Sequence, residues 1–386
     1  MENNTTMKHS SAILTALLVA SLGTLQAGNK PVPEPKAKRN GVAPAELLKL
    51  FPDADTDKDG KLSMQEALVY LDAHPEFKDY LPQRKGDNGK GPRVTEPGAR
   101  STPASAGLPA GPRVFVCAHS FMIFTGQQLP PMAEAAGIAY RDAGTQMIGG
   151  SRTLQHWNAP DDRNLAKKAL REGAVDVLLL SPYLFLPDEG IDNFTKLGSE
   201  KNPNLRVLVQ ASWPSRDANL GPFKNEMRDT ATVADLKSMR DGYETSWLKS
   251  LEKQVNALNT DVGKSAVRIV PVSQAVFALR ERVAQGKAPG IAKQSDLFRD
   301  DLGHPQPPLA ALVTYCHFAA IHGRSPVGQP VPATLKNLPD AVAMNRLLQE
   351  LAWQAVNSYP LSGVQAEPAA AKAGPEASNN IANDQL

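Results

Sequence analysis

The sequence predicts an α/β fold in which helices wind around both faces of a parallel sheet. Two observations carry that prediction: short apolar runs rich in β-branched residues recur from Arg113 onward, and they alternate with stretches of helical composition. The expected strands are residues 113–117, a short one at 139–142, then 175–180, 205–209 and 267–272. Their near-continuous hydrophobicity implies burial on both faces. Helices are expected at 126–136, 163–173, 241–258, 276–284 and 307–322, which makes the sheet doubly wound.

With 386 residues, 41% of them hydrophobic and 21% charged, the chain can bury one large domain and carry accessories. Residues 113–360 form that domain. Ahead of it, Lys8 precedes the apolar run of residues 12–20, and Leu25, Gln26 and Ala27 offer a cleavage site before Gly28. Residues 1–27 therefore read as a secretory signal peptide, and the protein is expected to be exported, periplasmic or extracellular. The run falls short of the ~20 residues of a bilayer-crossing helix, so no membrane span is expected in the mature chain. Residues 81–112 are rich in Gly, Pro and Ser and read as a flexible linker. Residues 361–386 have too little apolar content to fold and read as a disordered tail. A formal net charge of +2, with no basic cluster, gives no basis for a nucleic-acid partner.

The most specific chemical signature is a twelve-residue EF-hand loop beginning at Asp55. Asp55, Asp57 and Asp59 occupy positions 1, 3 and 5, the Lys61 carbonyl position 7, Ser63 position 9 and bidentate Glu66 position 12. These hard oxygen donors suit calcium, and Gly60 provides the sharp turn at position 6. Helical flanks make residues 44–80 a helix-loop-helix module. A lone loop of this kind is expected to stiffen its module, and export favours a filled site because calcium is plentiful outside the cytoplasm.

Ligands of open parallel sheets bind at the carboxyl ends of the strands. The first strand ends in Ala118-His119-Ser120, which places a serine hydroxyl at a strand-to-helix turn. After the last strand, Asp300-Asp301-Leu302-Gly303-His304-Pro305 sets Asp301 three residues before His304. On a tight turn, that spacing lets a carboxylate hold one imidazole nitrogen while the other removes a hydroxyl proton. After the second strand, Gly149 and Gly150 permit a backbone amide to approach an oxyanion closely.

In their order along residues 113–328, these three blocks resemble the SGNH (GDSL-like) hydrolase family. The resemblance implies a three-layer α/β/α, flavodoxin-like fold and an esterase with a Ser-His-Asp triad. Ser120 would be the nucleophile, His304 the general base and Asp301 its orienting partner. Gly150, or Gly149, would donate to the oxyanion beside the Ser120 amide. The substrate would be a small-molecule or glycan ester, and the chemistry would need no cofactor beyond the calcium of the EF-hand. Two departures stand out: Ala118-His119-Ser120 replaces the family's Gly-Asp-Ser or Gly-Asn-Ser, and Ser181-Pro182-Tyr183 lacks the third block's asparagine. Ser181 or Tyr183 would then substitute as donor. The departures also suit an alternative, a non-catalytic exported calcium-binding protein that keeps the domain as a binding module.

The remaining histidines and Trp213 have core or pocket-wall roles open to them, and His317 and His322, five apart, do not share a helix face as metal ligands. Cys117 and Cys316 are expected as two separately buried thiols, although an oxidising compartment would permit a bridge.

Overall fold

The computed structural model describes residues 52–56, 58, 60, 66, 70, 92–98, 107–183, 185–217 and 223–364. The expected signal peptide, most of the EF-hand module and the tail beyond residue 364 lie outside the described residues.

The strands are β1 (Arg93–Thr95), β2 (Ala110–Ala118), β3 (Ala139–Met147), β4 (Val177–Leu180), β5 (Arg206–Gln210) and β6 (Val267–Val270), in the order β1-β3-β2-β4-β5-β6. All neighbours are parallel except β1, which runs antiparallel along the outer edge of β3. The helices are α1 (Thr125–Ala135), α2 (Thr153–Trp157), α3 (Leu165–Arg171), α4 (Glu189–Lys201), α5 (Val233–Tyr243), α6 (Lys249–Asp261), α7 (Val272–Ala284), α8 (Pro307–His322) and α9 (Ala341–Ser358).

Residues alternate across a strand, so each strand feeds two cores. Val114, Val116 and Ala118 of β2 join one cluster with residues of α1, α7, α8 and α9. Phe115 and Cys117, on the other face, join residues of α3, α4 and α6. Helices therefore cover both faces, and β4 can be the uninterrupted, fully buried run Val-Leu-Leu-Leu. The two cysteines belong to opposite cores and are free, buried thiols. Helix α8 is buried continuously from Pro308 to Ile321, as a helix apolar all round must be, and ends at Gly323 in the left-handed conformation.

The linker expectation needs one correction. Residues 92–98, inside the stretch read as flexible, contain β1, whose Arg93, Val94 and Thr95 pair with Met147, Gln146 and Thr145. A sheet edge supplies the backbone partners that a Gly- and Pro-rich composition does not predict. At the other end, residues 361–364 of the expected tail are still ordered, with Ser362 and Val364 buried.

The chain leaves β2 toward β3 on one side and leaves β4 toward β5 on the other. That divergence opens a crevice at the carboxyl ends of β2 and β4.

Candidate active site

Residues 119–124 turn the chain from β2 into α1 at this crevice, and Ser120 lies on the turn, partly exposed. Three hydrogen bonds of its neighbour His119 hold the turn. The His119 amide donates to Ser181 Oγ (3.0 Å), its Nδ1 accepts the Phe121 amide (3.2 Å), and its Nε2 donates to the Pro182 carbonyl (3.4 Å). One donating and one accepting nitrogen describe a neutral ring. Burial enforces that state by pushing the His119 pKa down to about 4, with His304 nearby acting in the same direction. The His119 imidazole thus braces the turn that carries Ser120.

His304 arrives from the loop between the Gln294–Leu297 turn and α8. Phe298 and Pro305 form a bridge across the base of this loop, Gln306 donates to Leu297, and Arg299 donates to the His304 carbonyl (2.7 Å). Asp300 heads it. The Asp300 Oδ1 accepts the amides of Leu302 (3.1 Å) and His304 (3.2 Å), and Oδ2 lies 2.8 Å from His304 Nδ1. Partial burial works against the ionised Asp300 carboxyl, but its bonds to the His304 amide and ring, with Arg299, outweigh that and hold it below its ordinary pKa. An ionised carboxylate only accepts, so the shared proton sits on Nδ1 and Nε2 is left as a base. Nε2 lies 2.9 Å from Ser120 Oγ.

The orienting carboxylate is therefore Asp300, which corrects the expectation for Asp301. The Asp301 carboxylate binds Lys224 Nζ (3.0 Å) and the Asn225 amide (2.9 Å). The reason lies in the turn. Gly303, at φ +81°, reverses the chain so that the fourth residue back, not the third, meets the ring.

Aromatic packing fixes the imidazole from the side. Phe121 meets His304 edge-on at 5.3 Å and stacks on Trp213 at 4.7 Å, while Trp213 Nε1 donates to the Gly303 carbonyl (3.1 Å). Trp213 is therefore a buried brace. Ser215 leaves no room for a side chain at position 303, since a Cβ there would lie 2.9 Å from its carbonyl oxygen.

Gly149 and Gly150 follow β3, whose last residue, Met147, is paired with Ala118, so they stand beside the turn that carries Ser120. Gly150 takes φ +59°. The segment is pinned from below by Asp188, which caps two helices at once. Its carboxylate accepts the Thr153 and Leu154 amides of α2 (2.6 and 2.8 Å) and the Gly190 amide of α4 (3.1 Å). Only glycine fits at 190, because a Cβ there would lie 2.3 Å from Leu154 N. Ser181 also follows its strand directly, but its hydroxyl is buried and accepts the His119 amide. It supports the turn that carries Ser120 and does not line the crevice, which corrects its expected place as an oxyanion donor.

His156 is buried with Nδ1 3.3 Å from Gln146 Nε2, and His317 bonds Gln210 (2.8 Å) beneath the same turn. Neither lines the site. Asp188, Gly190 and the arginines behind the His304 loop escaped sequence reasoning. Asp300 was in plain view beside Asp301, but only the turn geometry separates the two.

In the segment expected to be an EF-hand, the Gly60 amide donates to Asp55 Oδ2 (2.9 Å) with Gly60 at φ +77°, and the Thr56 amide donates to Glu66 Oε1 (2.7 Å). Glu66 is thus held beside Thr56, the chain neighbour of Asp55. Asp57, Asp59, Lys61 and Ser63 lie outside the described residues. Among the described residues no three His, Cys, Asp or Glu side chains converge as a metal site. No helix among them is long and apolar enough to cross a membrane.

No family model matches the chain. No curated protein matches it either. A crystal structure of a DUF4886 family protein from Bacteroides uniformis is similar at a TM-score of 0.41 and 16% identity, over 64% of this chain and 95% of that one. At that distance the chemistry must be read from the residues themselves.

Proposed function

We propose that the protein is an exported serine hydrolase of SGNH type that cleaves carboxylic esters, acyl groups on glycans among them. The single observation carrying this reading is the continuous chain Ser120 Oγ, His304, Asp300, with contacts of 2.9 and 2.8 Å, at the carboxyl-end crevice of the sheet. Ser120 lends its hydroxyl proton to His304 Nε2 as Oγ attacks the ester carbonyl. Asp300 steadies the imidazolium that forms. The tetrahedral intermediate collapses, the alcohol leaves with the proton from Nε2, and water then repeats the sequence on the acyl-enzyme to release the acid. The Ser120 and Gly150 amides, or the Gly149 amide, serve the oxyanion. With Ser181 buried, the site relies on fewer donors than its family resemblance implies, and each lost donor typically costs ~3 kcal/mol of transition-state stabilisation.

The EF-hand is read as a calcium site. The Asp55 and Glu66 contacts fit a loop that closes around a hard cation, which would hold the entering and exiting segments together. Asp57, Asp59, Lys61 and Ser63 would complete the ligand set.

A fluorophosphonate probe tests the hydrolase. Labelling of folded wild type that is abolished by Ser120→Ala supports it. Folded wild type that resists labelling favours the second reading, a non-catalytic binding module, for which the buried Ser181 is the supporting observation.

A further inference from the structure

Behind the His304 loop, two guanidinium groups are buried against one carboxylate. Arg228, on the helical turn Asn225–Thr230, has a side chain with no exposure, and Arg280 of α7 has 4%. Asp217 Oδ1 accepts Arg228 Nη1 at 3.1 Å and Arg280 Nη1 at 2.7 Å. Their other partners are neutral: the Ser215 carbonyl (2.7 Å) and Asn225 Oδ1 (3.1 Å) for Arg228, and Gln294 Oε1 (2.9 Å) for Arg280. The cluster therefore holds one surplus positive charge. Burial pushes the Arg228 pKa down, against the pull of Asp217, to about 10, so the group stays charged at neutral pH.

Such a surplus is a poor way to gain stability, because buried ions seldom recover their desolvation cost. Its neighbours suggest another use. The Arg228 guanidinium lies 4.2 Å from the centre of the Phe298 ring, and a Cβ on Gly303 would come within 3.2 Å of its Nη2. Its partner Asn225 bonds the Phe298 carbonyl (3.2 Å) and donates its amide to Asp301. Arg228 thus abuts both ends of the loop that Asp300 heads. The charged groups facing the Asp300 carboxylate are His304 and Arg299 of the same loop and Arg228 from the segment beneath it. Lys224 is engaged by Asp301.

We propose that Arg228, anchored by Asp217, is a positioning residue for the Ser120, His304, Asp300 system: it fixes residues 298–304 and presents a surplus positive charge to Asp300 and His304. The assignment rests on the hydrolase reading above. Removing the cation favours the imidazolium, and removing Asp217 disfavours it. The two changes must therefore displace the acid limb of kcat/KM in opposite directions, which a purely structural role would not do.

The test is the pH dependence of kcat and kcat/KM on a p-nitrophenyl ester for wild type, Arg228→Met, Arg228→Lys and Asp217→Asn, after titration of the wild-type serine with a fluorophosphonate. Arg228→Met is expected to lower kcat by on the order of tenfold to a hundredfold through misplacement of His304 and to move the acid limb upward. Asp217→Asn should move it downward, and Arg228→Lys should leave it where wild type has it. Limbs that stay put, or move in the same direction, overturn the assignment alone provided wild type titrates. Wild type without a titratable serine overturns the hydrolase reading and the assignment with it. Should Arg228→Met fail to fold, a limb in Asp217→Asn that is unmoved or displaced upward overturns the assignment.

Discussion

Asp300 Oδ2 lies 2.8 Å from His304 Nδ1 while Asp300 Oδ1 accepts the His304 backbone amide, so one carboxylate both orients the ring and folds the turn that carries it. Asp301, one residue on, is bound to Lys224 and Asn225. The two acidic neighbours should therefore separate in kinetics. Asp300→Asn is expected to cut kcat on an activated ester by about 10⁴-fold, the loss that follows when the base is held in the wrong tautomer. Asp301→Asn should stay within a few-fold of wild type. Equal losses in steady-state assays of the two variants would return Asp301 to the triad.

Three wholly buried histidines make the fold acid-sensitive. Burial pushes His119 down to about 4, and His156 and His317 down to about 3, from an ordinary value of 6.5. Each ring binds a proton in the unfolded chain before it does so in the folded one. Their contribution is therefore complete above about pH 6.5 and is withdrawn as pH falls toward 4 and then 3, at about 1.4 kcal/mol per pH unit for each ring. Thermal melts between about pH 7 and pH 4 should show Tm falling steadily, and His317→Gln should flatten that slope. A flat wild-type profile would mean that these rings are not held neutral.

The contact between α2 and α4 tolerates no side chain at Gly190, since a Cβ would lie 2.3 Å from both Leu154 N and Thr153 C. Backbone cannot rotate aside as a side chain can. Gly190→Ala is expected to cost about 3 kcal/mol in urea unfolding and to displace the Gly149 and Gly150 segment that α2 anchors. A variant with unchanged midpoint and turnover would show that the two helices can separate freely.

For the proposed EF-hand, isothermal calorimetry with calcium should give a single site that Glu66→Gln weakens by more than about tenfold, since even an outer partner of a metal ligand commonly carries that much. Equal affinities would remove Glu66 from the coordination sphere.

Much of the sheet was legible because burial on both faces writes itself as unbroken apolar runs: β4, β5 and β6 fall within a few residues of their expected spans. β3 runs on to Met147, beyond its expected end, through the buried polar residues Asp142, Thr145 and Gln146, which break the apolar run that marks the other strands. Asp142 takes the Gly144 amide, and Gln146 takes the Ala166 amide. Helix α4 was hidden by Gly190 and Gly198, each of which is demanded by a close neighbour and not by a turn. Helix α9, with Met344, Leu348, Leu351, Ala352 and Val356 on its buried face, had a readable period that the search for strand-flanking helices passed over. At the site, Ser120 and His304 could be named because each sits at the end of an element. The choice of Asp300 over Asp301 depends on one left-handed glycine, and the Arg228 cluster joins segments far apart in the chain, so neither leaves a local pattern.

The three-residue strand β1 has a practical consequence for anyone shortening this protein. A chain begun at residue 113, where composition suggests the domain starts, would lack the strand that caps β3 and leave the Thr145 to Met147 edge as a row of unsatisfied amides and carbonyls. Such a fragment should self-associate through that rim, so the shortest well-behaved version must reach back past Arg93 into sequence that looks dispensable.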